Sequence, residues 1–196
     1  MIDPLPLATY SLVMSITPGP NNVMLTASGA NFGFRRTVPH LLGISLGVAV
    51  ELLLVCAGLG ALFTRWPYFQ TVLSWVGAAY LIFMGWKLLR SRGLSPNVAE
   101  AEPITFWQAT LFQFLNPKAW VMTLTAAALF LPAEWGVIRG SAYVVCMMVL
   151  VNLPSIAVWA LFGSSMRRFL EQPSRRAMFN GAMALALVGT AVMMVV

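Results

Sequence analysis

The chain has 196 residues, 59% hydrophobic and 9% charged, with a formal net charge of +6 and a mean hydropathy of +0.80. Soluble domains carry about 25% charged residues, so one water-facing core does not account for this composition, and the chain reads as an all-α integral membrane protein. Its basic residues sit in short joins between apolar runs rather than along a stripe, which excludes nucleic acid as a partner and leaves the lipid bilayer.

Six apolar segments lie at about 6–31, 39–64, 69–90, 107–131, 138–164 and 176–196. Each approaches the roughly 20 residues that a helix needs to cross the hydrocarbon core. Asp3 and the absence of Lys or Arg before Arg35 give the N-terminus no basic signal region, so it is kept as mature protein. The first segment is interrupted midway by Thr17, Pro18, Gly19, Pro20, Asn21 and Asn22. Two prolines remove backbone donors and Gly19 adds freedom, so the first helix is expected to be broken there. Broken backbone at membrane depth is tolerated only when buried in protein or lining a cavity, which makes this stretch the first candidate for a substrate site.

The second segment holds Glu51, the one acidic residue well inside an apolar run. An ionisable group at that depth costs about 2.5–3.5 kcal/mol or more unless it faces a partner or the bundle interior. His40, at the start of the segment, reads as a solvated interfacial histidine, a proton relay being the sharper alternative. Gly43 and Gly47 fit a small-residue packing face. Lys87 and Arg90 close the third segment, and the join at 91–105 is the longest and reads as a linker. The fourth segment carries Asn116, Pro117 and Lys118, and is expected to break at Pro117 as the first does at Pro18. Asn152 and Pro154 in the fifth read as structural, bridging helices by hydrogen bonds. Cys56 and Cys146 have no CxxC or metal-ligand spacing and read as buried small hydrophobes, so no metal and no cofactor is expected.

Charge orients the segments. Arg35, Arg36, Lys87, Arg90, Arg92, Arg167, Arg168, Arg175 and Arg176, nine residues, fall on one side, against Arg65 and Arg139, two, on the other. The nine belong in the cytoplasm, with both termini outside. A first segment that dipped in and returned would instead leave five helices and a cytoplasmic N-terminus.

The halves resemble each other. Pro117 follows Pro18, and Thr125 follows Thr26, by 99 residues; Gly181 follows Gly77, and Gly189 follows Gly85, by 104. One transmembrane domain over 1–196 is expected, with repeat 1 at about 6–90, a linker at about 91–105 and repeat 2 at about 107–196. Three helices per repeat make the copies inverted, so the fold class is six transmembrane helices as two inverted three-helix repeats. Many secondary transporters share that plan, with sites at the midplane between discontinuous helices.

A helix restarting after a break presents free N–H groups and the positive end of its dipole, a seat for a carboxylate. Around Pro18, Gly19, Pro20, Asn21 and Asn22, with Asn116, Pro117 and Lys118 opposite, such a seat suits a substrate carboxylate. Glu51 suits a substrate ammonium, or the coupling proton. The plainer alternatives are a structural kink and a Glu51–Lys118 ion pair. No nucleophile–base pair accompanies Glu51, which argues against an enzyme. A passive channel, needing a ring of like groups or a filter made by a homo-oligomer, and a structural membrane subunit are the competing functions.

Thr17, Pro18, Gly19, Pro20 and Asn21, the turn from Phe32 through Arg36 into Gly43, Ile44 and Gly47, and the run from Leu115 to Trp120 together resemble the LysE/RhtB-type amino-acid exporters over nearly the whole chain. The resemblance implies a bacterial inner-membrane, multi-pass carrier that expels amino acids or derivatives by proton antiport. It directs attention to Pro18, Gly19, Pro20, Asn21, Asn22, Asn116, Pro117 and Lys118, whereas Glu51 enters from its burial alone. It does not select the amino acid.

Overall fold

The computed structural model describes residues 3–90 and 102–196. Most of the expected linker, with Arg92, lies outside them. Among the described residues the secondary structure is entirely helical. Helix α1 (Leu5–Ile16) and helix α2 (Pro20–Phe32) are separated by Thr17, Pro18 and Gly19. Gly33, at φ 84°, turns the chain into α3 (Phe34–Leu54). A side chain is strained in that left-handed conformation, and the Arg167 guanidinium packs where one would stand. The winding widens to π-type over Val55–Leu59 before α4 (Gly60–Arg65), and α5 (Pro67–Arg90) follows.

The second half opens with a capping box. Thr105 Oγ1 accepts from the Gln108 amide at 3.3 Å, and the Thr105 amide donates to Gln108 Oε1 at 3.0 Å, which starts α6 (Phe106–Gln113). Then come α7 (Pro117–Phe130), α8 (Gly136–Ser165) and α9 (Pro173–Val195). Among the described residues, four stretches are long and apolar enough to cross a bilayer: Phe34–Leu62, Tyr68–Arg90, Gly136–Ser165 and Pro173–Val195, of 29, 23, 30 and 23 residues. The helices α1, α2, α6 and α7 are shorter, at 12, 13, 8 and 14 residues.

Polarity is distributed as hydrocarbon surroundings require. Leu42, Leu53, Trp75, Phe83, Ile138, Leu150 and Leu185 are exposed, whereas Ser11, Asn22, His40, Glu51, Gln113, Thr123, Asn152 and Asn180 are buried. In lipid every polar group must find its partner inside the protein, so the hydrogen-bonding side chains turn inward. With four spanning helices, the chain is a multi-pass membrane protein. Two expectations are corrected here. His40 is fully buried rather than solvated, because α3 begins at Phe34 and carries it nearly two turns into the bundle. Cys146 is exposed on α8, facing outward instead of into the protein.

Helix α8 is the axis of the bundle. Ser11 Oγ meets Met148 Sδ at 2.8 Å, Asn152 Nδ2 donates to Ser15 Oγ at 2.9 Å, and the Phe34 amide donates to Ser164 Oγ at 3.2 Å. Rising numbers on α1 and α2 thus meet rising numbers on α8. Trp159 spans the interruption: its Nε1 donates to the Ile16 carbonyl at 3.1 Å, and its own carbonyl accepts from Thr26 Oγ1 at 3.4 Å. Further along, a Cβ on Gly29 would lie 2.2 Å from the Ala160 oxygen, and one on Gly163 would lie 2.1 Å from the Thr26 oxygen. Only glycine lets these two backbones touch. The same-sense register recurs between α3 and α6, where Gly43 abuts Phe106 and Gly47 abuts Thr110 and Gln113. By contrast α5 and α9 run in opposite senses, Gly77 meeting Met194 and Gly85 meeting Ala184. The core between α2, α3, α7 and α8 includes Leu25, Ile44, Val48, Leu52, Met122, Val144 and Ile156.

Candidate functional site

The two interruptions meet. Lys118, in the first turn of α7, sends its Nζ to the Thr17 carbonyl at 2.8 Å, the Thr17 hydroxyl at 2.9 Å and the Pro18 carbonyl at 3.4 Å. A lysine ammonium has three donors, and these contacts occupy them. The C-terminus of α1 is otherwise closed by Asn22, whose Nδ2 donates to the carbonyls of Ser15 and Thr17, each at 2.8 Å. Orphan carbonyls and the negative end of the helix dipole are thereby answered by an amide and a cation.

The restarts differ. Asn116 caps α7, its Oδ1 accepting from the Lys118 amide at 3.1 Å. The N-terminus of α2, begun by Pro20 after the extended Gly19, has no side-chain cap. The first N–H groups of a helix have no intrahelical partner, so the Asn21 and Asn22 amides remain available there.

A cavity of about 30 Å³ lies between the interruptions, lined by Asn21, Asn22, Gln113, Asn116, Lys118 and Asn152 among others, with Ile44 and Val48 on its apolar side. It has room for about one water and is smaller than an amino acid. Asn21 Nδ2 donates to Gln113 Oε1, while Asn21 Oδ1 and Asn152 Oδ1 are buried without a partner. The lining holds one cation, Lys118, and no carboxylate.

Of the sequence-predicted residues, Gly19, Pro20, Asn21, Asn22, Asn116 and Lys118 line this cavity. Pro18 and Pro117 flank it as parts of the interruptions. Glu51 stands outside its lining, fully buried on α3, with Oε1 accepting from Thr123 Oγ1 on α7 at 2.9 Å and Oε2 unpartnered. Glu51 and Lys118 do not pair, since each has the other contacts just given. Ser15, Gln113 and Asn152 are site residues that sequence reasoning missed. Gln113 lies one turn before Asn116, and its polarity in an apolar segment was the available signal.

A second cavity, of about 460 Å³, opens at the other end of α2. Ser28, Asn31, Arg36, Lys87, Glu102 and Arg176 line it, so α2 walls both spaces. Among the described residues no cluster of three or more His, Cys, Asp or Glu could hold a metal ion.

Comparison with known proteins fits these features. Residues 12–196 match the family described as LysE type translocator. The chain is 34% identical over 185 residues to the cysteine/O-acetylserine efflux protein of Escherichia coli strain K12, covering 94% of this chain and 93% of that protein. It is 33% identical over 185 residues, with the same coverage, to the protein of that name from Escherichia coli O139:H28. No solved structure matches. A family match from the middle of α1 to the last residue, together with relatives aligned over almost their full length, makes this chain a membrane transporter rather than an enzyme, a member of the LysE type translocator family.

Proposed function

We propose that this protein exports small neutral amino acids or their derivatives from the cytoplasm across a bacterial inner membrane, by proton antiport through a midplane site between two broken helices. The observation that carries the reading is the small cavity where the interruptions meet, lined by the uncapped start of α2 and by the unpartnered side-chain oxygens of Asn21 and Asn152. The α2 N-terminus suits the substrate carboxylate. Asn21 Oδ1 and Asn152 Oδ1 suit its ammonium. A lining without a carboxylate offers nothing to a cationic side chain, which favours neutral substrates of the kind named for the relatives, cysteine and O-acetylserine.

Packing supports six crossings in two inverted repeats. Along α8, contacts rise in number from Ser11 through Ser15 to Phe34, as they would if the first segment ran through the membrane in one direction. Thr110, 99 residues after Ser11, donates to the Gly43 carbonyl at 3.0 Å, so α6 leans on α3 as α1 leans on α8. With the basic loops inside, the larger cavity is the cytoplasmic entrance and α2 guides substrate from it to the site. The central cavity is smaller than an amino acid, so substrate must part the two interruptions.

Glu51 is assigned the coupling proton, its Oε2 buried without a partner about one turn along α3 from the cavity-lining Val48. Counterflow in proteoliposomes tests the reading. Saturable exchange of cysteine or O-acetylserine is expected, and flux linear in substrate would replace the carrier by a channel.

A further inference from the structure

Helix α3 carries a second buried titratable group. His40 and Glu51 are each 0% exposed, and their separation of eleven residues is about three turns, or about 16 Å of helix, which puts them on one face. Ile44 and Val48 stand between them on that face, and both line the central cavity. Nδ1 and Nε2 of His40, like Oε2 of Glu51, are without a hydrogen-bond partner. A neutral imidazole has one N–H to donate and one lone pair to fill. Leaving such a group unmatched in a buried place costs about 1–3 kcal/mol. Neither group lines the cavity, but each lies about one turn from a residue that does, Ile44 for His40 and Val48 for Glu51, and groups kept at that cost there are suited to partners that come and go.

Among the described residues the neighbouring elements supply no fixed counter-charge. Neither α2 nor α6 has a titratable side chain. From α7 comes Lys118, engaged with Thr17 and Pro18. From α8 come Arg139 and Cys146, both exposed, and Tyr143, whose hydroxyl is buried and unpartnered. Cys56 lies in the π-type stretch. Arg167 sits against Gly33, about two turns before His40, and Arg35 and Arg36 on α3 itself are exposed.

We infer that His40 and Glu51 are the two ends of one proton path along the buried face of α3, with His40 as the proton-carrying residue on the side of Arg35 and Arg36. The inference rests on the proton-antiport reading above. One proton enters on Glu51 Oε2, crosses through solvent in the opened cavity to a ring nitrogen of His40, and leaves toward the basic loops. The imidazole returns to neutral, so one proton in is one proton out. Substrate and proton use the cavity in different half-cycles, which prevents leak.

The test uses the whole protein in proteoliposomes, with His40→Asn and, to keep the volume filled without a titratable group, His40→Phe. Radiolabelled O-acetylserine is followed in two modes: efflux driven by an acid exterior, and exchange at equal pH. Both variants are expected to lose gradient-driven efflux by about 100-fold, the scale on which positioned proton-transfer groups act, with exchange affected far less and the pH profile of efflux flattened. Unchanged gradient-driven efflux and pH profile would overturn the inference. Loss of exchange or of membrane insertion in both variants would also overturn it, marking His40 as structural. A wild-type protein indifferent to the pH gradient would instead overturn the antiport reading itself.

Discussion

The Lys118 ammonium lies 2.8 Å from the Thr17 carbonyl oxygen, tying the first turn of α7 to the last of α1. Cations are favoured at helix C-termini, and this one also holds two interruptions face to face. Parting them for substrate must stretch or break that bond.

Lys118→Ala therefore removes a latch beside the carboxylate seat. Once the proposed site opens, the freed ammonium holds the substrate carboxylate more strongly than it held a carbonyl, a bond worth about 1.5–3 kcal/mol, so KM for exchange should rise about tenfold or more. The pH dependence of export should change little. A variant with unchanged KM and altered pH profile would move Lys118 from binding to coupling.

Asn21 and Asn152 present buried acceptors without donors. Each substitution to Ala should raise KM for a zwitterionic substrate by about tenfold, the weight of one hydrogen bond to a charged group. Binding of an analogue lacking the amino group should change little. Equal losses for both ligands would show that these amides shape the cavity and do not receive the ammonium.

Asn22→Ala tests the fold instead. It strips the buried Ser15 carbonyl of its amide partner, while the Thr17 carbonyl keeps the Lys118 ammonium. An unsatisfied buried group costs about 1–3 kcal/mol, so the melting temperature in detergent should fall by several degrees. Gly163→Ala should destabilise comparably, since its Cβ would meet the Thr26 oxygen at 2.1 Å. Wild-type melting for Gly163→Ala would mean that α2 and α8 can separate at no cost.

Topology is read by accessibility. A single cysteine near Asp3 should be labelled from outside, and one within residues 91–99 only from the cytoplasm, after Cys56 and Cys146 are replaced. Cytoplasmic labelling at Asp3 would replace the first crossing by a dipping segment.

Much of this was legible in the sequence because membranes simplify the code. Apolar length and charge bias delimit segments, and prolines with Asn21, Asn22 and Lys118 stand out against an apolar background. What was hidden depends on which face a side chain takes. Asn152 read as a helix bridge, yet only its Nδ2 does that, toward Ser15, while Oδ1 is left free. His40 read as interfacial because the apolar segment begins at about residue 39, but α3 starts earlier, at Phe34, with Pro39 inside it. Depth alone left a Lys118–Glu51 ion pair open as the plainer alternative. Depth does not give azimuth, and Lys118 turns to α1 while Glu51 turns to Thr123.

In the proposed cycle, substrate leaving is coupled to a proton arriving at Glu51. The direct measurement compares wild type and Glu51→Gln in proteoliposomes loaded with O-acetylserine, with efflux followed as the exterior is acidified. Antiport fixes the sign: wild-type efflux should accelerate as outside pH falls below inside pH, and slow when the gradient is reversed. Glu51→Gln should insert normally, still exchange substrate at equal pH, and lose the response to either gradient. Normal, gradient-sensitive efflux by Glu51→Gln would contradict the claim and leave Glu51 a packing residue held by Thr123.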